Sequence, residues 1–92
     1  MEWKASHILV KDRGLADSIL KKIKSGGNFS VLAKEFSICG SKSSGGDLGW
    51  FGPGKMVPKF EEAVKKMRQG QISGLVSTQF GFHIIKKTGE RE

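Results

Sequence analysis

Apolar residues recur along this chain with two different periods, and each change of period marks a boundary between elements. Near either end, a run of branched aliphatics is bracketed by polar groups: His7-Ile8-Leu9-Val10-Lys11 and His83-Ile84-Ile85-Lys86. Runs of that kind read as strands buried on both faces. The first extends back to Trp3, and Gly14 marks its exit. Leu15, Ala16, Ile19, Leu20 and Ile23 then recur with helical spacing, with Asp17, Lys21, Lys22 and Lys24 on the opposite side. This predicts an amphipathic helix that Gly26-Gly27 ends by supplying a left-handed residue. Asn28 is placed to cap a second helix, whose apolar face is Phe29, Leu32, Ala33 and Phe36.

From Ser37 to Gly54 the periodicity disappears. Serines and glycines enclose one short apolar piece, Leu48-Gly49-Trp50-Phe51. A flexible linker has no use for Leu, Trp and Phe together, so the segment reads as an ordered loop with a short strand. Pro58 suits the first turn of a third helix burying Phe60, Ala63, Val64 and Met67. Glu61 and Glu62 lie near its start, and Lys65, Lys66 and Arg68 near its end, which complements the helix dipole. Val57 is a poor N-cap, so something else must hold that helix start. Ile72–Thr78 and Phe82–Lys87 complete a hairpin around Gln79-Phe80-Gly81. The order predicts one α+β domain spanning residues 1–92, with helices covering an antiparallel sheet.

Composition narrows the picture. Ninety-two residues with 37% apolar content suffice for one modest core. The single cysteine, Cys39, excludes an intrachain disulfide. No stretch approaches transmembrane length and the first six residues have no apolar signal core, so a cytoplasmic protein is the expectation. The net charge of +7 comes from 16 basic and 9 acidic residues. The lysines are dispersed in pairs (Lys21-Lys22, Lys65-Lys66, Lys86-Lys87), which reads as solvated helix faces and strand ends. No dense basic run or zinc-finger spacing points to nucleic acid. Docking on an anionic membrane surface stays open as an accessory role.

The two histidines are the polar residues that most need explaining. Period-two geometry puts His7 on the strand face of Ala5 and Leu9, and His83 on that of Ile85. If the first and last strands pair, the rings could lie directly across the ladder, about 4.5–5.5 Å apart. Cys39, Thr78 and Ser37 are the polar groups that could join them. A zinc site would need three or four ligands, and His7, Cys39 and His83 are the only soft ones, so no metal is expected. A cysteine hydrolase would lack both a recognisable motif around Cys39 and room for an oxyanion hole.

Gly45-Gly46-Asp47-Leu48-Gly49-Trp50-Phe51, Gly54-Lys55-Met56-Val57-Pro58-Lys59-Phe60-Glu61, Gly70-Gln71-Ile72-Ser73 and Thr78-Gln79-Phe80-Gly81-Phe82-His83-Ile84-Ile85-Lys86 follow one another in order. Together they resemble the parvulin family of peptidyl-prolyl cis/trans isomerases. Ser6-His7-Ile8-Leu9-Val10 matches as well, as does the stretch from Phe29-Ser30-Val31-Leu32-Ala33 to Ser37-Ile38-Cys39. The resemblance runs over essentially the whole chain. It implies a parvulin-like (FKBP-like) four-stranded antiparallel sheet covered by about four helices, with the first and last strands paired at its centre. By position, the family's two core histidines fall on His7 and His83, its active-site cysteine on Cys39 and its neighbouring hydroxyl on Thr78. Its proline pocket falls on Leu48, Met56 and Phe60, with Phe80 as a wall. The implied activity is non-covalent rotation about X–Pro bonds of unfolded or flexible polypeptides, by a monomer, without cofactor. Phosphoserine-directed parvulins carry a basic cluster on a longer first loop. Here that loop is Lys11-Asp12-Arg13-Gly14, so no such selectivity is expected. A chaperone module that binds proline-containing peptides without turnover is the alternative.

Overall fold

The computed structural model describes residues 1–92. Nine residues of the first strand, β1 (Glu2–Val10), lead into two helices, α1 (Arg13–Lys24) and α2 (Phe29–Phe36). A 3-10 helix (Gly40–Ser44) and strand β2 (Asp47–Phe51) follow, then α3 (Pro58–Lys66), β3 (Val76–Thr78) and β4 (Gly81–Arg91). The sheet order is β2-β1-β4-β3 with every neighbouring pair antiparallel. The first and last strands are therefore the central pair, which is why both carry uninterrupted aliphatic runs.

Alternation along these strands feeds two separate cores. Ile8, Val10 and Ile84 pack with Ala16, Ile19 and Leu20 of α1 and Phe29, Leu32 and Ala33 of α2. Trp3, Ala5 and Ile85 point the other way, to Phe51, Phe60, Val64 and Met67. The caps follow the sequence in part. The Asn28 carboxamide accepts from Val31 N–H at 3.0 Å, and Pro58 occupies the first turn of α3. No side chain caps Val57, and the Glu61 carboxylate instead reaches back to Gly54 N–H at 2.8 Å, tying the preceding turn to the helix.

Four expectations need correction. Gly14 is not the exit of β1 but lies inside α1, because the Asp12 carboxylate caps Leu15 N–H at 2.8 Å and starts the helix at Arg13. The helices number three, and only the 3-10 turn brings the total to four. The strand expected over Ile72–Thr78 is regular only at Val76–Thr78, while β4 runs on to Arg91. Upstream, the chain still follows β4 through irregular bonds, Gly70 N–H to Lys87 C=O at 2.6 Å and Ser73 N–H to Ile85 C=O at 2.8 Å. Lys87 is not a solvated strand end. It is 2% exposed, and its ammonium donates to Met67 C=O at the end of α3 (2.9 Å) and to the Glu90 carboxylate (2.6 Å). A helix terminus has unpaired carbonyls, and a cation is a favourable partner for one.

The chain ends meet. Glu2 faces Arg91 in the β1–β4 register, and the Arg91 guanidinium donates to the Glu2 carboxylate at 2.7 and 2.8 Å.

Candidate active site

The site lies on the α3 side of the central strands. His7 pairs across the ladder with Ile85, and Leu9 with His83, so the histidines are diagonal neighbours, not directly opposite as expected. Diagonal positions still lie within reach of ring side chains. The two imidazoles lean together, with centroids 5.1 Å apart and planes 23° from parallel, and their Nδ1 atoms are 2.9 Å apart. One Nδ1 must donate and the other accept, so two neutral rings linked in this way hold opposite tautomers. On the far side of His83, Nε2 lies 2.7 Å from the Thr78 hydroxyl, which also accepts Phe80 N–H at 3.2 Å. The result is a line of hydrogen bonds from Thr78 through His83 to His7. It stops at His7 Nε2, which is buried with no partner.

The Phe60 ring stands at 84° and 74° to the His7 and His83 imidazoles, with centroids 5.5 Å from each, and Phe51 packs against it at 6.0 Å. Desolvation dominates the electrostatics. Burial, helped by the neighbouring His83, pushes the His7 imidazole down to about 4, and burial also holds His83 below its ordinary value. Both rings are therefore neutral near pH 7.

Beside this pair opens a cavity of about 400 Å³. That volume is within the ~300–1,000 Å³ typical of small-ligand sites. His7, Leu9 and His83 line it from the central strands, Leu48 from β2, Phe60 from α3 and Phe80 from the β3–β4 turn. Cys39, Lys55, Met56 and Val57 complete it from the loops. All the residues proposed from sequence as the apolar pocket (Leu48, Met56, Phe60 and Phe80) thus surround one space together with His7, His83 and Cys39. Thr78 lies outside that lining and reaches the site through His83 and the Phe80 N–H. Phe80 is half exposed, so it forms a rim.

Ser37 was a candidate to join the histidines, but its hydroxyl serves the backbone. It accepts Leu9 N–H at 3.0 Å and Cys39 N–H at 3.4 Å, while Ile38 N–H donates to Leu9 C=O at 2.8 Å. These bonds moor the Cys39 segment to β1. The far end of the same loop is held by His7 N–H donating to Gly46 C=O at 3.0 Å. Gly46 has φ +89°, and a Cβ there would meet His7 C=O at 2.4 Å, so only glycine allows the loop this close to the histidine strand. No three His, Cys, Asp or Glu side chains converge in a way that could hold a metal ion.

Three lining residues escaped the sequence reading: Leu9, Lys55 and Val57. Leu9 was accessible from period two, since it shares the face of His7. Lys55 and Val57 flank Met56 within a block already singled out, but periodicity carries no information in a loop.

Known proteins resemble this chain along nearly its whole length. The family model for the PPIC-type PPIase (rotamase) domain matches residues 7–89. The foldase protein PrsA of Geobacillus kaustophilus is 54% identical over 97% of this chain. The chain spans about a third of the length of such relatives, 32% in that case. A crystal structure of the peptidylprolyl isomerase PrsA from Bacillus anthracis superimposes with a TM-score of 0.97 at 50% identity, covering 99% of this chain and 42% of that one. The solution structure of NmPin, the parvulin of Nitrosopumilus maritimus, matches with a TM-score of 0.84 at 46% identity over 96% of both chains.

Proposed function

Because the chain belongs to the parvulin, or PPIC-type, family of peptidyl-prolyl isomerases, we propose that it turns X–Pro bonds of unfolded or flexible polypeptides within the cavity beside His7 and His83. The observation that carries this reading is the pairing of an apolar pocket with two neutral, hydrogen-bonded imidazoles and a cysteine on one wall. An amide resists rotation by ∼18–20 kcal/mol because resonance keeps it planar. Uncatalysed X–Pro exchange takes tens to hundreds of seconds. No bond is made or broken, so the task is to bind the twisted amide better than either planar isomer. Leu48, Met56 and Phe60 would hold the pyrrolidine ring, with methionine offering adaptable packing. Transfer into this largely apolar space disfavours the more dipolar planar amide. Cys39 would face the rotating carbonyl, acting through its electrostatics and not as a nucleophile. His7, His83 and Thr78 would orient the wall behind it as a connected network.

One feature bears on substrate choice. The connection between β1 and α1 is only Lys11-Asp12, and the Asp12 carboxylate is committed to capping. This supports a generalist over a phosphoserine-directed enzyme.

The test is two-dimensional NMR exchange on X–Pro peptides with catalytic amounts of protein. The expected result is accelerated cis/trans exchange that Cys39→Ser largely retains and Cys39→Ala, still folded, loses. Peptide binding without acceleration would leave the chaperone module as the better reading, and an isolated covalent adduct on Cys39 would overturn the electrostatic role.

A further inference from the structure

We propose that Lys55 makes this enzyme prefer substrates carrying a carboxylate side chain within one residue of the proline. The inference rests on the isomerase reading above and names the substrate class that the same cavity selects. Among the residues lining the cavity, Lys55 is the only one with a formal charge at neutral pH, since the histidines there are neutral and the other lining residues are apolar or cysteine. It has no ion-pair partner: the salt bridges of the molecule are Lys21–Asp17, Lys87–Glu90 and Arg91–Glu2. The Glu61 carboxylate, which bonds the residue just before Lys55, is already held by Gly54 N–H.

Its backbone is fixed where the side chain can serve the cavity. Gly52-Pro53-Gly54-Lys55 has proline second, a left-handed glycine third (φ +84°) and Lys55 N–H donating to Gly52 C=O at 3.4 Å. This is the pattern of a type II turn. Glu61 ties that turn to α3, whose Phe60 forms the pocket. A turn tied to α3 and next to Met56 places Lys55 in the lining of the cavity, and no carboxylate of the protein pairs with it. A peptide seated by its proline must carry its neighbouring side chains past that lining. Lys59, on the other side of Val57, lines an adjoining depression with Ser77, Thr78 and Gln79 and is also without an ion-pair partner.

Lys55 is exposed, so the effect is that of a screened pair, about two- to five-fold at low ionic strength. The experiment compares kcat/KM for matched peptides with Glu or Gln immediately before the proline, and a second set with them immediately after it. The expected Glu-to-Gln ratio is about two to five in one of the two sets. In Lys55→Gln it falls to one, and in Lys55→Glu it drops below one. Added salt lowers it in the natural protein. Lys34→Gln, which removes the same charge from exposed α2, leaves the ratio unchanged. A ratio of one in both sets overturns the proposal, as does a ratio that Lys34→Gln lowers as much as Lys55→Gln, which would assign the preference to net charge. If no peptide turns over at all, it is the isomerase reading that fails.

Discussion

On one face of the sheet, Ile8, Val10 and Ile84 meet α1 and α2, and hydrocarbon fills the space between them. On the other face, the residues alternating with these are His7, Leu9, His83 and Ile85, and α3 covers them only in part. The same two strands, with the same backbone bonds, thus supply a sealed core and an open one. The difference lies in what stands over them. Two amphipathic helices close the first face, whereas one nine-residue helix, started by Pro58 and tied through Glu61 to its preceding turn, leaves a gap next to the imidazoles. One side is packed with hydrocarbon throughout, and the other keeps a buried imidazole nitrogen without a partner.

Two truncations test that division most severely. Phe60→Ala removes a ring that is 2% exposed and is expected to cost about 3–5 kcal/mol, together with most of the turnover per folded molecule. Ile19→Ala in the sealed core is expected to cost about 2–5 kcal/mol in the same denaturant titration. Its kcat/KM, corrected for the folded fraction, should stay at the natural value. Equal losses of rate would mean that the two faces are not independent.

A smaller effect comes with acid. His7 takes up its proton near pH 4 in the folded state and near 6.5 when unfolded. Above pH 6.5 neither state is protonated there and the residue contributes no pH dependence. As the pH falls from 6.5 towards 4, the unfolded state gains the proton first, so stability drops, levelling off below about 4. From pH 7 to pH 5 the loss is about 2 kcal/mol. His83, shifted in the same direction, adds to it. Urea titrations at the two pH values should show a smaller deficit in His7→Leu, and an undiminished deficit would place the proton elsewhere.

The smallest expected effect is at Thr78. Thr78→Val keeps the shape but deletes the hydroxyl that meets His83 Nε2 and Phe80 N–H. A loss of about 0.5–1.5 kcal/mol is expected, with a lower kcat and a nearly constant KM. A raised KM at unchanged kcat would move Thr78 from the network to direct peptide contact.

Much of this arrangement was legible in the sequence because it follows from periodicity. The aliphatic runs after His7 and His83 gave the central strands, and the alternation within them put both rings on chosen faces. Motif blocks linked Leu48, Met56, Phe60 and Cys39 before any contact was known. What escaped was register and long-range polar pairing. Nothing local says whether His7 stands opposite His83 or two residues along, because that depends on how strands 76 residues apart align. Lys87 looked like one of a solvated pair, and only the end of α3 beneath it, with Met67 C=O lacking a partner, explains its burial. Gly14 read as a turn because glycine is a stronger local signal than the Asp12 cap that overrode it.

The joined ends at Glu2 and Arg91 have a consequence for modularity. A chain enters and leaves this unit on adjacent strands, about 5 Å apart in the ladder. A host protein can therefore carry it within an ordinary surface turn, without separating the residues on either side of the insertion. The same proximity means that Glu2 and Arg91 could be joined by a short link and new ends opened in an exposed loop with little strain. Being a guest in a longer polypeptide and standing alone make the same geometric demand on this fold, and the ion-paired Glu2 and Arg91 meet both.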